Sequence, residues 1–115
     1  MTTRKILCVE NQPNARDILT RMLEDLGYSV VLAGTAQQAL DRLASSDIDG
    51  VLLEYDLPDQ TGARLRSEIK SLWPDLPVLM FAGVGPQTPF MLRFFDAYLR
   101  NAELPSGDPL QDLVG

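Results

Sequence analysis

At 115 residues the chain is long enough for one continuous core and too short for two, so a single domain over 1–115 is expected. Apolar residues at 45% and charged residues at 23% are ordinary for a globular protein and argue against disorder. A net charge of −6, with the 10 Lys and Arg scattered, disfavours nucleic-acid binding, which needs clustered cations against phosphate.

Ile6-Leu7-Cys8-Val9 is a short apolar run of the kind a buried strand shows. Its cysteine is the only one, so no internal disulfide can form, and a small buried side chain is the expectation. Ala15, Ile18, Leu19, Met22, Leu23 and Leu26 then repeat at helix spacing, and Gly27 supplies a stop. Tyr28 to Ala33 reads as a second strand. Thr35 with Gln38 forms a capping-box pattern before a helix with Ala36, Ala39, Leu40, Leu43 and Ala44 on its apolar face. Val51-Leu52-Leu53 is a third strand with Glu54 at its end. Leu65, Ile69 and Leu72 predict a third helix, stopped by Pro74 after Trp73. Val78 to Phe81 predicts a fourth strand, ending in Ala82-Gly83. Thr88-Pro89 opens a short fourth helix through Phe95. Ala97-Tyr98-Leu99 is expected to be a short fifth strand, and Asp108-Pro109 the start of a short last helix with Leu110, Leu113 and Val114.

Strands alternating with helices imply a parallel sheet covered on both faces, because parallel neighbours need crossover connections. Five such units make an α/β, doubly wound, flavodoxin-like domain. Ligands of such sheets bind beyond the carboxyl ends of the strands. Glu10-Asn11, Glu54, Ala82 and Asn101 all fall at predicted strand ends, so they are expected to share one crevice. No apolar stretch approaches the span of a membrane helix, and no signal-peptide core follows Met1-Thr2-Thr3-Arg4-Lys5, so the cytoplasm is the expected location.

Glu54-Tyr55-Asp56-Leu57-Pro58, followed by Gly62, resembles the phosphorylation site of response-regulator receiver domains. Leu7-Cys8-Val9-Glu10-Asn11-Gln12 resembles that family's acidic-pair segment, and Pro77 to Gly83 its fourth strand. Asp96 to Asn101 resembles its fifth. The similarity runs from about residue 4 to 101 and is stronger up to residue 80. It implies a five-stranded sheet in the order 2-1-3-4-5, with a role in two-component signalling. Implied partners are a histidine kinase, an output protein or a second copy, with no nucleic acid and no membrane.

The resemblance also implies a chemistry, and four positions depart from it. A carboxylate at position 54 would attack a phosphoryl group while Mg²⁺, held by acidic residues, neutralises the developing charge. A hydroxyl and an ammonium would then hold the phosphoryl oxygens. Here Asn11 replaces one acid, and Glu54 replaces the acceptor Asp, moving the carboxylate by about 1.5 Å, a bond length. Ala82 lacks the hydroxyl and Asn101 lacks the cation. The family's switch couples the hydroxyl residue to an aromatic, which would be Tyr98, so that coupling is expected to be broken. The expectation is a degenerate pseudo-receiver without enzymatic activity, with weak or no Mg²⁺ at Glu10, Glu54 and Asp56, and no other cofactor.

Two alternatives stay open. A receiver with an atypical site would accept phosphate, for instance on Asp56. A small Mg²⁺-dependent phosphatase would use Glu54-Tyr55-Asp56 as an acid-x-acid pair. With no His and no metal-spaced cysteines, enzymes of the His- or Cys-dependent kinds are excluded, and no glycine-rich phosphate loop of the P-loop or dinucleotide type is present.

Overall fold

The computed structural model describes residues 3–101, in which four strands alternate with four helices. The elements are β1 (Lys5–Val9), α1 (Pro13–Asp25), β2 (Ser29–Ala33), α2 (Ala36–Ser45), β3 (Gly50–Glu54), α3 (Gly62–Leu72), β4 (Val78–Phe81) and α4 (Thr88–Asn101). All strand pairs are parallel, in the order β2-β1-β3-β4. Ile6 lies beside both Val30 and Gly50, and Val51 beside Val78. That register brings Val9 level with Leu53, and Glu54 level with Phe81, at one edge of the sheet.

Alternate residues of each strand point to opposite faces, which divides the core in two. Leu7, Val9, Val51 and Leu53 pack with Ala39 and Leu43 of α2 and with Leu65 and Ile69 of α3. Ile6, Cys8, Leu52 and Phe81 pack with Leu19 and Leu23 of α1 and with Leu92, Phe95 and Leu99 of α4. Both faces are covered, as the alternation of elements requires, and the flavodoxin-like architecture stands. Burial pushes the Cys8 thiol up to about 12, so it remains a protonated core side chain.

Local chemistry accounts for the helix starts. The Thr35 hydroxyl accepts from the Gln38 amide at 3.1 Å, and the Thr61 hydroxyl from the Arg64 amide at 3.2 Å. Gln38 completes its half of the expected box one residue early, its Oε1 accepting from Gly34 N–H at 2.8 Å.

The fifth strand expected at Ala97-Tyr98-Leu99 is not there. Those residues continue α4, which runs on past Phe95 to Asn101. A short apolar run reads the same in a buried strand and on a helix face. Here Thr88, Leu92, Phe95 and Leu99 form one continuous buried stripe, and no Gly or Pro interrupts residues 90–101. Leu72, expected in the core, is 64% exposed at the last turn of α3. The last helix expected from Asp108 lies outside the described residues.

Helix α4 leads away from the carboxyl ends of the strands to their amino ends. A Cβ placed on Gly50, at the start of β3, would lie 2.5 Å from Leu99 Cδ2 and 3.4 Å from Phe95 Cζ. The Tyr28 hydroxyl donates to Asp96 Oδ1, and Asp96 pairs with Arg100 at 3.2 Å. Burial and the Asp96 carboxylate together push the Tyr28 hydroxyl up to about 12.

Candidate functional site

The level carboxyl ends of β1, β3 and β4 frame a crevice of about 520 Å³, lined among others by Glu10, Asn11, Glu54, Asp56 and Gly83. Glu10 and Glu54 are only 3% and 6% exposed, so neither is a solvated loop acid. Buried carboxylates must find donors or protons. Glu54 Oε2 accepts from Gly83 N–H at 2.9 Å, across the β4–α4 loop, and Oε1 accepts from Asp56 N–H at 3.3 Å. Glu10 Oε1 accepts from Gln12 N–H at 2.9 Å. The two carboxyl groups lie within hydrogen-bonding reach of each other. Burial raises the Glu10 carboxyl above the ordinary carboxylate range; the Gln12 amide opposes this, and neighbouring Glu54 adds to it. Two buried acids this close repel, which favours a proton on Glu10 as pH falls.

Two glycines permit this geometry. Gly83 has a φ of 72°, in the left-handed region, which turns its amide onto Glu54. Gly62 opens α3 hard against the end of β3. A Cβ there would collide with the Glu54 carbonyl oxygen and lie 2.7 Å from Tyr55 Cα, while its own N–H donates to Tyr55 O at 2.5 Å. The loop between them is held from the side. Asp59 accepts from the amides of Ala36 at 2.9 Å and Gln37 at 3.1 Å, capping α2. Slight burial pushes the Asp59 carboxyl up, but these amides outweigh it, and the group sits below its ordinary value.

The expected site residues do not all meet. Glu10, Glu54 and the exposed Asp56 line the crevice with Asn11, and Ala82 precedes Gly83 at its edge, exposed and without a hydroxyl. Tyr98 and Asn101 are corrections. They sit in the last turns of α4, at the amino ends of the strands, because the expected fifth strand is helical. Among the described residues, no Lys or Arg lines the crevice. Sequence reasoning missed the roles of Gly83 and Asp59, whose amide and cap act over long separations that no local pattern signals, and of the Gln12 amide, which meets Glu10 two residues away.

The donor set fits an oxygen-ligated ion poorly. Both oxygens of Glu54 and one of Glu10 already serve backbone amides, and Asn11 brings no charge. Among the described residues no three acidic, His or Cys side chains converge as metal ligands.

The comparisons with known proteins decide the family. The model of the response regulator receiver domain matches residues 6–98. The chain belongs to that family. Among curated relatives, response regulator MprA of Mycolicibacterium vanbaalenii is 37% identical over 76 residues, 66% of this chain and 33% of the relative. This receiver domain thus spans about a third of the length of the curated relatives it matches. Among solved structures, response regulator TrrA of Thermotoga maritima, in complex with Mg(2+)-BeF, is similar with a TM-score of 0.69, 25% identity and 76% of each chain covered. The HemR receiver domain of Leptospira biflexa is 32% identical with a TM-score of 0.65, over 82% of this chain and 75% of its own. The receiver domain is a two-component signalling module.

Proposed function

We propose that this receiver domain is a non-phosphorylated interaction module, a pseudo-receiver in which Glu54 fills the acceptor position as a fixed internal contact. One observation carries this reading: the Glu54 carboxylate is buried and satisfied by the amides of Asp56 and Gly83, so it holds the β4–α4 loop instead of facing an incoming phosphoryl group. Attack needs a free, aligned oxygen, and a displacement of about 1 Å already costs on the order of a hundredfold. The lack of a hydroxyl at Ala82, and of any cation in the crevice lining among the described residues, supports the same reading. The module is not an enzyme, works without Mg²⁺, and signals in the cytoplasm by binding a histidine kinase or an output protein. A histidine kinase, ThkA, is seen with TrrA, the latter 26% identical to this chain in that structure, which supports a kinase as the partner class.

The test is intact mass after incubation with acetyl phosphate and Mg²⁺. The native chain is expected to gain no phosphoryl mass. An adduct would overturn the proposal, and its position would identify the acceptor. Adduct on exposed Asp56 would favour the atypical phosphorylatable receiver; sustained release of phosphate lost in Glu54→Gln would favour the phosphatase.

A further inference from the structure

Leu72 is 64% exposed, although helical spacing puts it on the apolar side of α3 with Leu65 and Ile69. It lines a shallow groove of about 450 Å³ between the end of α3 and the loops that lead into β3 and β4. Ile48, Trp73 and Leu76 line the same groove, half-buried and packed against the α2–α3 side of the core. The groove opens at the amino ends of β3 and β4 and shares no lining residue with the acidic crevice at the carboxyl ends.

Its walls are fixed by backbone contacts. Pro74 stops α3, and the Trp73 amide closes the last turn on Ile69 O at 2.7 Å. Pro77 O accepts from Val51 N–H at 2.9 Å, tying the α3–β4 turn to β3. On the other wall Asp49 N–H donates to Lys5 O at 2.8 Å, and Asp49 Oδ2 accepts from Lys5 N–H at 2.7 Å. A surface held this way has little order left to gain when a ligand settles on it.

Among the described residues, the charges that line the groove are all negative. Asp49 and Asp75 are both exposed there, and Asp47 is exposed one residue before Ile48. The neighbouring cation, Lys70, has its ammonium committed to Leu76 O at 2.8 Å and does not line the groove. The carbonyl end of the α3 dipole adds to the negative field. An aromatic ring and two carboxylates around one groove suit a guanidinium, which stacks on the ring and forks onto an acid. The apolar surface between them suits proline and leucine on either side of it.

We propose that this groove docks an extended segment of a partner protein in which an arginine is flanked by proline and leucine. The contact does not depend on Glu54 or on whether the crevice takes phosphate, so it gives the interaction module a second face. A groove of this size buries far less than the roughly 1,200 Å² of a stable interface, so the contact is weak and reversible.

Trp73 is the chain's only tryptophan, so its fluorescence reports on this groove. The test titrates the full chain with the capped hexapeptide Pro-Leu-Pro-Arg-Leu-Pro, and with the same peptide carrying glutamate in place of arginine. The arginine peptide is expected to shift the emission saturably by millimolar concentrations, and the glutamate peptide to leave it unchanged. Asp49→Asn keeps an acceptor for Lys5 N–H, and Asp75→Asn changes an exposed side chain, so both variants are expected to keep native circular dichroism. Each should weaken binding about two- to fivefold, the worth of one exposed ion pair. An arginine peptide without a saturable shift overturns the proposal, as does a glutamate peptide that binds equally well. Light scattering covers the other occupant: a dimer that Leu72→Ser dissociates would assign the groove to a second copy and overturn the proposal too.

Discussion

Replacing Glu54 by aspartate installs the residue that the family uses, yet it should weaken this domain. The substitution removes one methylene and withdraws the carboxylate by about 1.5 Å. The contact to Gly83 N–H, now 2.9 Å, then passes beyond hydrogen-bonding range, whereas the bond to Asp56 N–H survives because an aspartate reaches the amide two residues on in an Asx turn. What is lost is one charge-assisted, part-buried bond, worth about 1.5–3 kcal/mol at most. For a domain of this size each kcal/mol lowers Tm by roughly 4–8 °C. Urea denaturation gives the free energy, and hydrogen exchange at Gly83 reports the bond itself. Glu54→Asp is expected to lower the midpoint and speed Gly83 exchange. An unchanged midpoint with Gly83 still protected would refute the reasoning, because the long-range contact would then hold nothing.

Glu10→Gln mimics the protonated acid. Because the fold raises the Glu10 carboxyl above 4.5, its favourable contribution is full below that pH and is lost as pH rises through the raised value. The glutamine variant is thus expected to be more stable than the native chain at neutral pH, with the gap closing towards about 4.5 in thermal melts across pH. Asp59→Ala strips two amides of α2 of their acceptor and should cost about 1 kcal/mol by urea denaturation. The sign with pH is opposite: Asp59 contributes above 3.8, and its contribution fades as pH falls through its depressed value. Gly62→Ala drives a methyl group into the Glu54–Tyr55 backbone and should destabilise by about 1–3 kcal/mol, visible as a shifted thermal midpoint. Mg²⁺ titration of the Asp56 and Gly83 amide resonances, beside Glu54, is expected to show no saturable change below millimolar concentrations; saturation there would give the crevice a metal site.

The first four strands and three helices were legible because each announced itself locally: an apolar run, a helical stripe, Thr35 or Thr61 before a helix, Gly27 or Pro74 after one. Beyond Phe81 that clarity fails. Ala97-Tyr98-Leu99 taken alone satisfies a strand pattern and a helix pattern equally, and the longer stripe from Thr88 to Leu99, packed by Leu99 against Gly50, distinguishes them. Asn101 was misplaced for the same reason. At the site, the acids themselves could be named from strand ends. Their partners could not: Gly83 meets Glu54 across 29 residues, and Asp59 meets α2 across 22 or 23. Register, not local pattern, makes those contacts.

The path of α4 bears on whether this domain has a way back. Glu54→Asp, Ala82→Thr and Asn11→Asp each restore a family residue by a point change in the crevice. A lysine at position 101 would not help, since that residue rides at the far end of α4, beyond Leu99 and the start of β3. Residues 102–115 hold no Lys or Arg either. Asn101→Lys alone therefore cannot return a cation to the crevice, because α4 carries position 101 to the amino ends of the strands.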